Sequence, residues 1–161
     1  MKRSSTIFLQ TVIVLIGIVA LAIIIRFPLT EGRATNLDLF SIYADPFIIY
    51  GYLASIAFFV ALHQAFKLLG YIGQNKVFSL NSVKALRTIK YCAIALGILI
   101  VMAGLYIRVS FNGNADDDPA GFLAVSIMAT FISIVIATAA AVFERTLQSA
   151  VDIKSENDLT V

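Results

Sequence analysis

Four stretches of this chain carry no charge at all. They lie between Arg3 and Arg26, Asp45 and Lys67, Lys90 and Arg108, and Asp118 and Glu144, and are 22, 21, 17 and 25 residues long. A soluble helix needs charged or polar residues on its outer face, so a chain that confines its 12 basic and 10 acidic residues to the remaining segments is not a soluble domain. About 20 apolar residues at 1.5 Å each cross the roughly 30 Å hydrocarbon core of a bilayer. The pattern predicts four spans, over residues 6–25, 46–66, 90–107 and 120–143. These runs lack the alternation of barrel strands, and only helices or closed barrels satisfy a backbone in lipid. The expected fold is therefore all-α: a four-helix transmembrane bundle in one integral domain, residues 1–161.

The N-terminus invites comparison with a secretory signal, because Lys2 and Arg3 precede an apolar run containing Ala20-Leu21-Ala22. The run continues through Ile25, longer than the roughly 7–15 residues of a signal core, and reads as an uncleaved first span. Basic residues then set the orientation. The N-terminus, the loop 67–90 and the tail hold nine of them, and the other two loops hold three beside six acids. That bias predicts a multi-pass cell-membrane protein with both termini in the cytoplasm.

Outside the spans, residues 37–43 form a short amphipathic segment suited to the outer surface. Pro46 suits the first turn of the second span, where its missing N–H costs nothing. In the middle loop Ser79 is placed to cap a helix, with Phe78 and Val83 at the spacing of a hydrophobic staple. This helix would set Lys84, Arg87 and Lys90 along one stripe, lie in the cytoplasmic interface and run straight into the third span. Either anionic lipid or a protein would suit that face. Lys90 and Arg108, at the ends of the third span, are positioned to snorkel toward headgroups. The tail 144–161 is expected to continue the fourth helix into the cytoplasm. Phe143, Leu147, Ala150 and Val151 form its apolar stripe, with Glu144, Arg145, Gln148 and Asp152 on the other side.

Inside lipid the hydrophobic effect cannot drive helices together, so small residues and a few hydrogen bonds must. Ala57, Ala61 and Ala65 supply such a face on the second span, Ala93, Gly97 and Gly104 on the third, and Ala129, Ser133, Ala137 and Ala141 on the fourth. Ser126, Thr130 and Thr138 form a hydroxyl-bearing stripe beside the last. The same faces would equally serve a homo-oligomer.

Chemistry is thin. No span has an ionisable residue at its centre, as ion and proton pathways require. His63 is the single histidine and Cys92 the single cysteine, too few for a metal cluster, and Asp116–Asp118 lack the alternating spacing of a calcium loop. No phosphate-binding or nucleophile motif occurs. A net charge of +2 without a long basic run gives no footing for direct nucleic-acid binding. No cofactor and no enzymatic activity are expected.

The stretch VFSLNSVKALRTIKYCAIALG and the ending LQSAVDIKSENDLTV resemble the domain of unknown function family 2975, small four-span bacterial membrane proteins. Ser79, Asn81, Leu86, Arg87, Glu156, Asn157, Asp158, Leu159 and Thr160 carry the likeness; Lys90 departs from it, standing where a glycine is expected. The resemblance implies a partner, since such proteins are commonly encoded beside a small helix-turn-helix regulator of the Cro/C1 type. The candidate docking residues are then Phe78, Ser79, Asn81, Lys84 and Arg87 in the loop and Glu156, Asn157, Asp158, Leu159 and Thr160 in the tail. Two other readings stay open: a protein that binds lipid or a small amphiphile between its spans, and a structural subunit of a membrane assembly.

Overall fold

The computed structural model describes residues 3–30, 38–110 and 120–159. Among these the secondary structure is helical throughout: α1 (Arg3–Thr30), α2 (Leu39–Tyr43), α3 (Pro46–Gly73), α4 (Leu80–Ser110) and α5 (Ala120–Leu159). Four of the five are long and apolar enough to cross a membrane, so the chain is a multi-pass membrane protein. It divides into two compact units, Met1–Val77 and Phe78–Val161, and each is a helical hairpin.

In the first hairpin α1 runs antiparallel to α3. Among the buried and half-buried positions of α1, Thr6, Gln10, Ile13, Gly17, Ala20 and Ile24 follow alternating steps of four and three that keep one face toward a neighbouring helix. A Cβ on Gly17 would come within 3.1 Å of Leu62 Cδ2, and one on Gly73 within 2.9 Å of Thr6 Cγ2. Gln10 donates to the Phe66 carbonyl at 3.4 Å. Ala57, Ala61 and Ala65 are half-buried on α3, and Gly17 and Gly73 meet side chains of the partner helix.

Helix α1 also runs five residues past the expected end at Ile25 and carries Pro28 inside it. A proline cannot donate to the carbonyl four residues back, here that of Ile24. The Tyr52 hydroxyl of α3 lies 3.5 Å from the Ile24 oxygen, and Tyr43 of α2 donates to Ile25 at 3.1 Å. Two phenols thus serve the carbonyls around the proline, and the helix continues through it.

The ends of α3 are locally written. Asp45 caps it, accepting from the Phe47 N–H at 2.7 Å, with Pro46 in the first turn. At the other end the Asn75 N–H donates to Ile72 and the Lys76 N–H to Tyr71, with Asn75 at φ 56°. That is a Schellman closure, and asparagine is one of the few residues besides glycine that accept it.

The second hairpin pairs α4 with α5. The segment expected along the interface is the first three turns of α4, continuous with the third span. Ser79 caps it, its Oγ 3.4 Å from the Ser82 N–H and 3.1 Å from the Ser82 hydroxyl. Val83 is buried but Phe78 is exposed, so the two do not cover each other as a staple would. Ser82, Val83, Ala85 and Leu86 are all buried, so the apolar face that the pattern would lay on lipid is turned into the protein.

Candidate functional site

Among the buried and half-buried positions of α4, one line of alternating three- and four-residue steps runs through Val83, Leu86, Lys90, Ala93, Gly97, Ile100, Gly104 and Ile107. A matching line on α5 runs through Ser126, Thr130, Ser133, Ala137, Ala140, Glu144, Leu147 and Val151, each buried or half-buried. Such 3.5-residue periodicity gives a left-handed pair of helices. Small residues set the spacing, for a Cβ on Gly97 would lie 3.5 Å from Ser133 Cβ and one on Gly104 3.7 Å from Ser126 Cβ. Gly97, Gly104, Ser133 and Ala137 all lie on these two lines. Ala129 and Ala141 are half-buried on the flanks, and Ala140 takes the inward position.

One turn beyond the apolar contacts the seam becomes ionic. Glu144 accepts from Lys90 Nζ at 2.6 Å and from Arg87 Nε at 2.7 Å. The glutamate is 8% exposed, whereas its neighbour Phe143 is 63% exposed. Of the expected tail stripe, Leu147, Ala150 and Val151 are half-buried, whereas Phe143 is turned outward and Glu144, expected on the opposite side, is buried. At the edge of a bilayer phenylalanine is at ease in lipid, while a carboxylate needs protein cations. Lys90 does not snorkel outward either: its ammonium is held by Glu144 and lies 4.8 Å from the Tyr91 ring centre. Sequence reasoning missed this clasp. The available signal was depth, since Lys90 immediately precedes one charge-free stretch and Glu144 immediately follows another.

Glu144 stands past the end of its apolar stretch. The hydrogen bonds from Lys90 and then Arg87 hold its carboxyl below the usual carboxylate range, outweighing the burial that would raise it. The clasp contributes fully above the unfolded glutamate value of about 4.3 and is lost as pH falls through the lowered native value. Acid titration of the detergent-solubilised protein should therefore differ between wild type and Glu144→Gln, with the wild type alone losing stability across that window.

Beyond the clasp, α5 continues as a single helix to Leu159. Val151 is its last half-buried position, and residues 152–157 are exposed. Gln148 donates to Asp152 Oδ1 at 2.7 Å, one turn along the same helix. Of the candidate docking residues, Phe78, Asn81, Lys84, Glu156 and Asn157 are exposed, Ser79 is the α4 cap, and Arg87 is engaged with Glu144. Asp158 and Leu159 close the helix, and Thr160 lies outside the described residues. The antiparallel register sets the loop candidates beside the base of the extension, with Glu156 and Asn157 beyond it. His63 is exposed on α3, and the acidic run Asp116–Asp118 lies outside the described residues.

The α4–α5 flank is grooved. A groove of about 670 Å³ is lined by Ala93, Gly97, Val101, Thr130, Ile134 and Thr138 among others, with Lys90 at one end. Thr130 and Thr138 of the hydroxyl stripe thus face open space.

Residues 9–161 match the family model described as a protein of unknown function, DUF2975. The chain is 45% identical over 163 aligned positions, spanning the whole of both proteins, to the "Uncharacterized membrane protein YoaS" of Bacillus subtilis (strain 168). No solved structure matches it.

Proposed function

This chain belongs to the DUF2975 family, and we propose that it is a non-catalytic docking platform that holds a small helix-turn-helix regulator at the cytoplasmic face of the membrane. The observation that carries this reading is the length of α5. Its 40 residues extend about 60 Å, twice the hydrocarbon core. Residues 152–157 of it are exposed.

The charge bias of the loops supports a cytoplasmic position for that extension. It is mixed in character: Asp152, Lys154 and Glu156 supply charge, and Ile153 is a large apolar side chain left 60% exposed. Helix-in-groove recognition inserts apolar side chains of a helix into a partner's groove, and Ile153 is the side chain placed to serve as such an anchor. The exposed Asn81 and Lys84 of α4 lie at its base and widen the surface.

Deleting residues 156–161 is expected to lower recovery of the regulator from crosslinked native membranes at least tenfold, with the protein's own membrane level unchanged. Transcription from the regulator's target should change in the same strain. Equal recovery and unchanged transcription would overturn the reading.

A further inference from the structure

Beside Gly104 and Ser126, where the two helices approach closely, larger neighbours stand off on one flank and leave a second groove of about 430 Å³. Leu105, Leu123, Ile127 and Phe131 line it, and Arg108 stands at its mouth. It shares Val101, Thr130 and Ile134 with the larger groove toward Lys90. Two of the hydroxyl protons along the way are already committed to the helix backbone. Thr130 donates to the Ser126 carbonyl at 2.8 Å, and Ser133 to that of Ala129 at 2.9 Å. The lining therefore suits an apolar occupant.

Two further features define that occupant. The first is depth. From Arg108 to Ile100 is about 12 Å along α4, and from Leu123 to Ile134 about 16 Å along α5. Both match one leaflet, half of the roughly 30 Å core. The second is charge. At the far end of the hairpin Lys90 and Arg87 are occupied by Glu144, whereas Arg108 makes no ion pair among the described residues. A second copy of the chain is a poorer fit, because two-fold symmetry about the membrane normal brings equal depths together and would set Arg108 near its own counterpart.

We propose that this groove holds one acyl chain of an anionic phospholipid, drawn from the leaflet at the C-terminal end of α4, with the lipid phosphate on Arg108. A guanidinium offers a phosphate two parallel donors, and the net negative charge of an anionic headgroup, which the choline ammonium cancels in phosphatidylcholine, adds to the attraction. This site is independent of the docking surface at the other end of α5.

The test is native mass spectrometry of the full chain released from nanodiscs of equal phosphatidylglycerol and phosphatidylcholine. The wild type is expected to retain one phosphatidylglycerol in preference to phosphatidylcholine. Arg108→Gln should reduce that retention about fivefold, the effect of one basic residue at an anionic surface, while Arg108→Lys stays close to wild type. Thr130→Phe, which fills the passage between the grooves, should reduce it as well without loss of helicity. Equal retention by wild type and Arg108→Gln would overturn the proposal. So would equal retention of the two lipids, or a lipid-free dimer as the species that leaves the nanodisc.

Discussion

Glu144→Ala is expected to destabilise the α4–α5 hairpin by about 2–3 kcal/mol, the range for lost hydrogen bonds between charged groups where a charge stays behind. The glutamate side chain is 10% exposed and that of Lys90 21%, so the Lys90 contact is mostly shielded from water. Arg87 is 53% exposed, and water and salt screen its share. Three substitutions should therefore rank clearly. Glu144→Ala strands two cations and costs most, Lys90→Ala leaves the carboxylate one partner and costs less, and Arg87→Ala costs least. Replacing Glu144 and Lys90 together with Gln and Met should recover much of the loss, because an apolar or neutral pair avoids the stranded charge. Thermal unfolding in a mild detergent, read by near-ultraviolet circular dichroism, gives the ranking. If Arg87→Ala proved as damaging as Glu144→Ala, the assignment of the shielded contact to Lys90 would be wrong.

The second large effect is a contrast between two glycines given the same substitution. Gly73→Ala would put a Cβ 2.9 Å from Thr6 Cγ2, and threonine is stiff at χ1 and cannot swing aside freely. The helices of the first hairpin must shift, at about 1–3 kcal/mol. Gly97→Ala meets Ser133 at 3.5 Å, an ordinary contact. There, the better helix propensity of alanine leaves stability unchanged or raised by up to about 1 kcal/mol. Thr6→Ala should rescue Gly73→Ala, since it removes the clashing methyl. It also removes a buried hydroxyl that has no hydrogen-bond partner among the described residues. Denaturant midpoints of the single and double variants decide this, and a Gly97→Ala loss as large as that of Gly73→Ala would contradict the geometry.

The four spans were legible because absence of charge over about 20 residues is a signal that local sequence noise cannot imitate. The roles of Ser79 and Pro46 at helix starts were legible too, since both act within two or three residues; the Asp45 cap was not read from the sequence. The seams were only half legible. Ala129, Ser133, Ala137 and Ala141 recur every four residues, and four residues turn a helix by about 400°, so such a stripe drifts about 40° per step. The observed seam alternates three and four and stays in place, which is why it keeps Ser133 and Ala137 and exchanges Ala141 for Ala140. Glu144 was illegible for a different reason. The soluble-protein habit of placing phenylalanine inside and glutamate outside inverts at the bilayer edge, where the outside of the protein is hydrocarbon. The glycines of the first hairpin were hidden because Gly17, Gly70 and Gly73 do not share one regular step, and only the partner helix reveals which of them matter.

Helix α5 has no break from Ala120 to Leu159, and Glu144 is held by α4 partway along it. A flexible tail would work as a leash, fixing only how far a bound protein can wander from the membrane. An unbroken helix works as a shaft. Whatever grips its last turns is held at a set height and a set compass bearing about the membrane normal, and any torque applied there is delivered to the hairpin inside the bilayer.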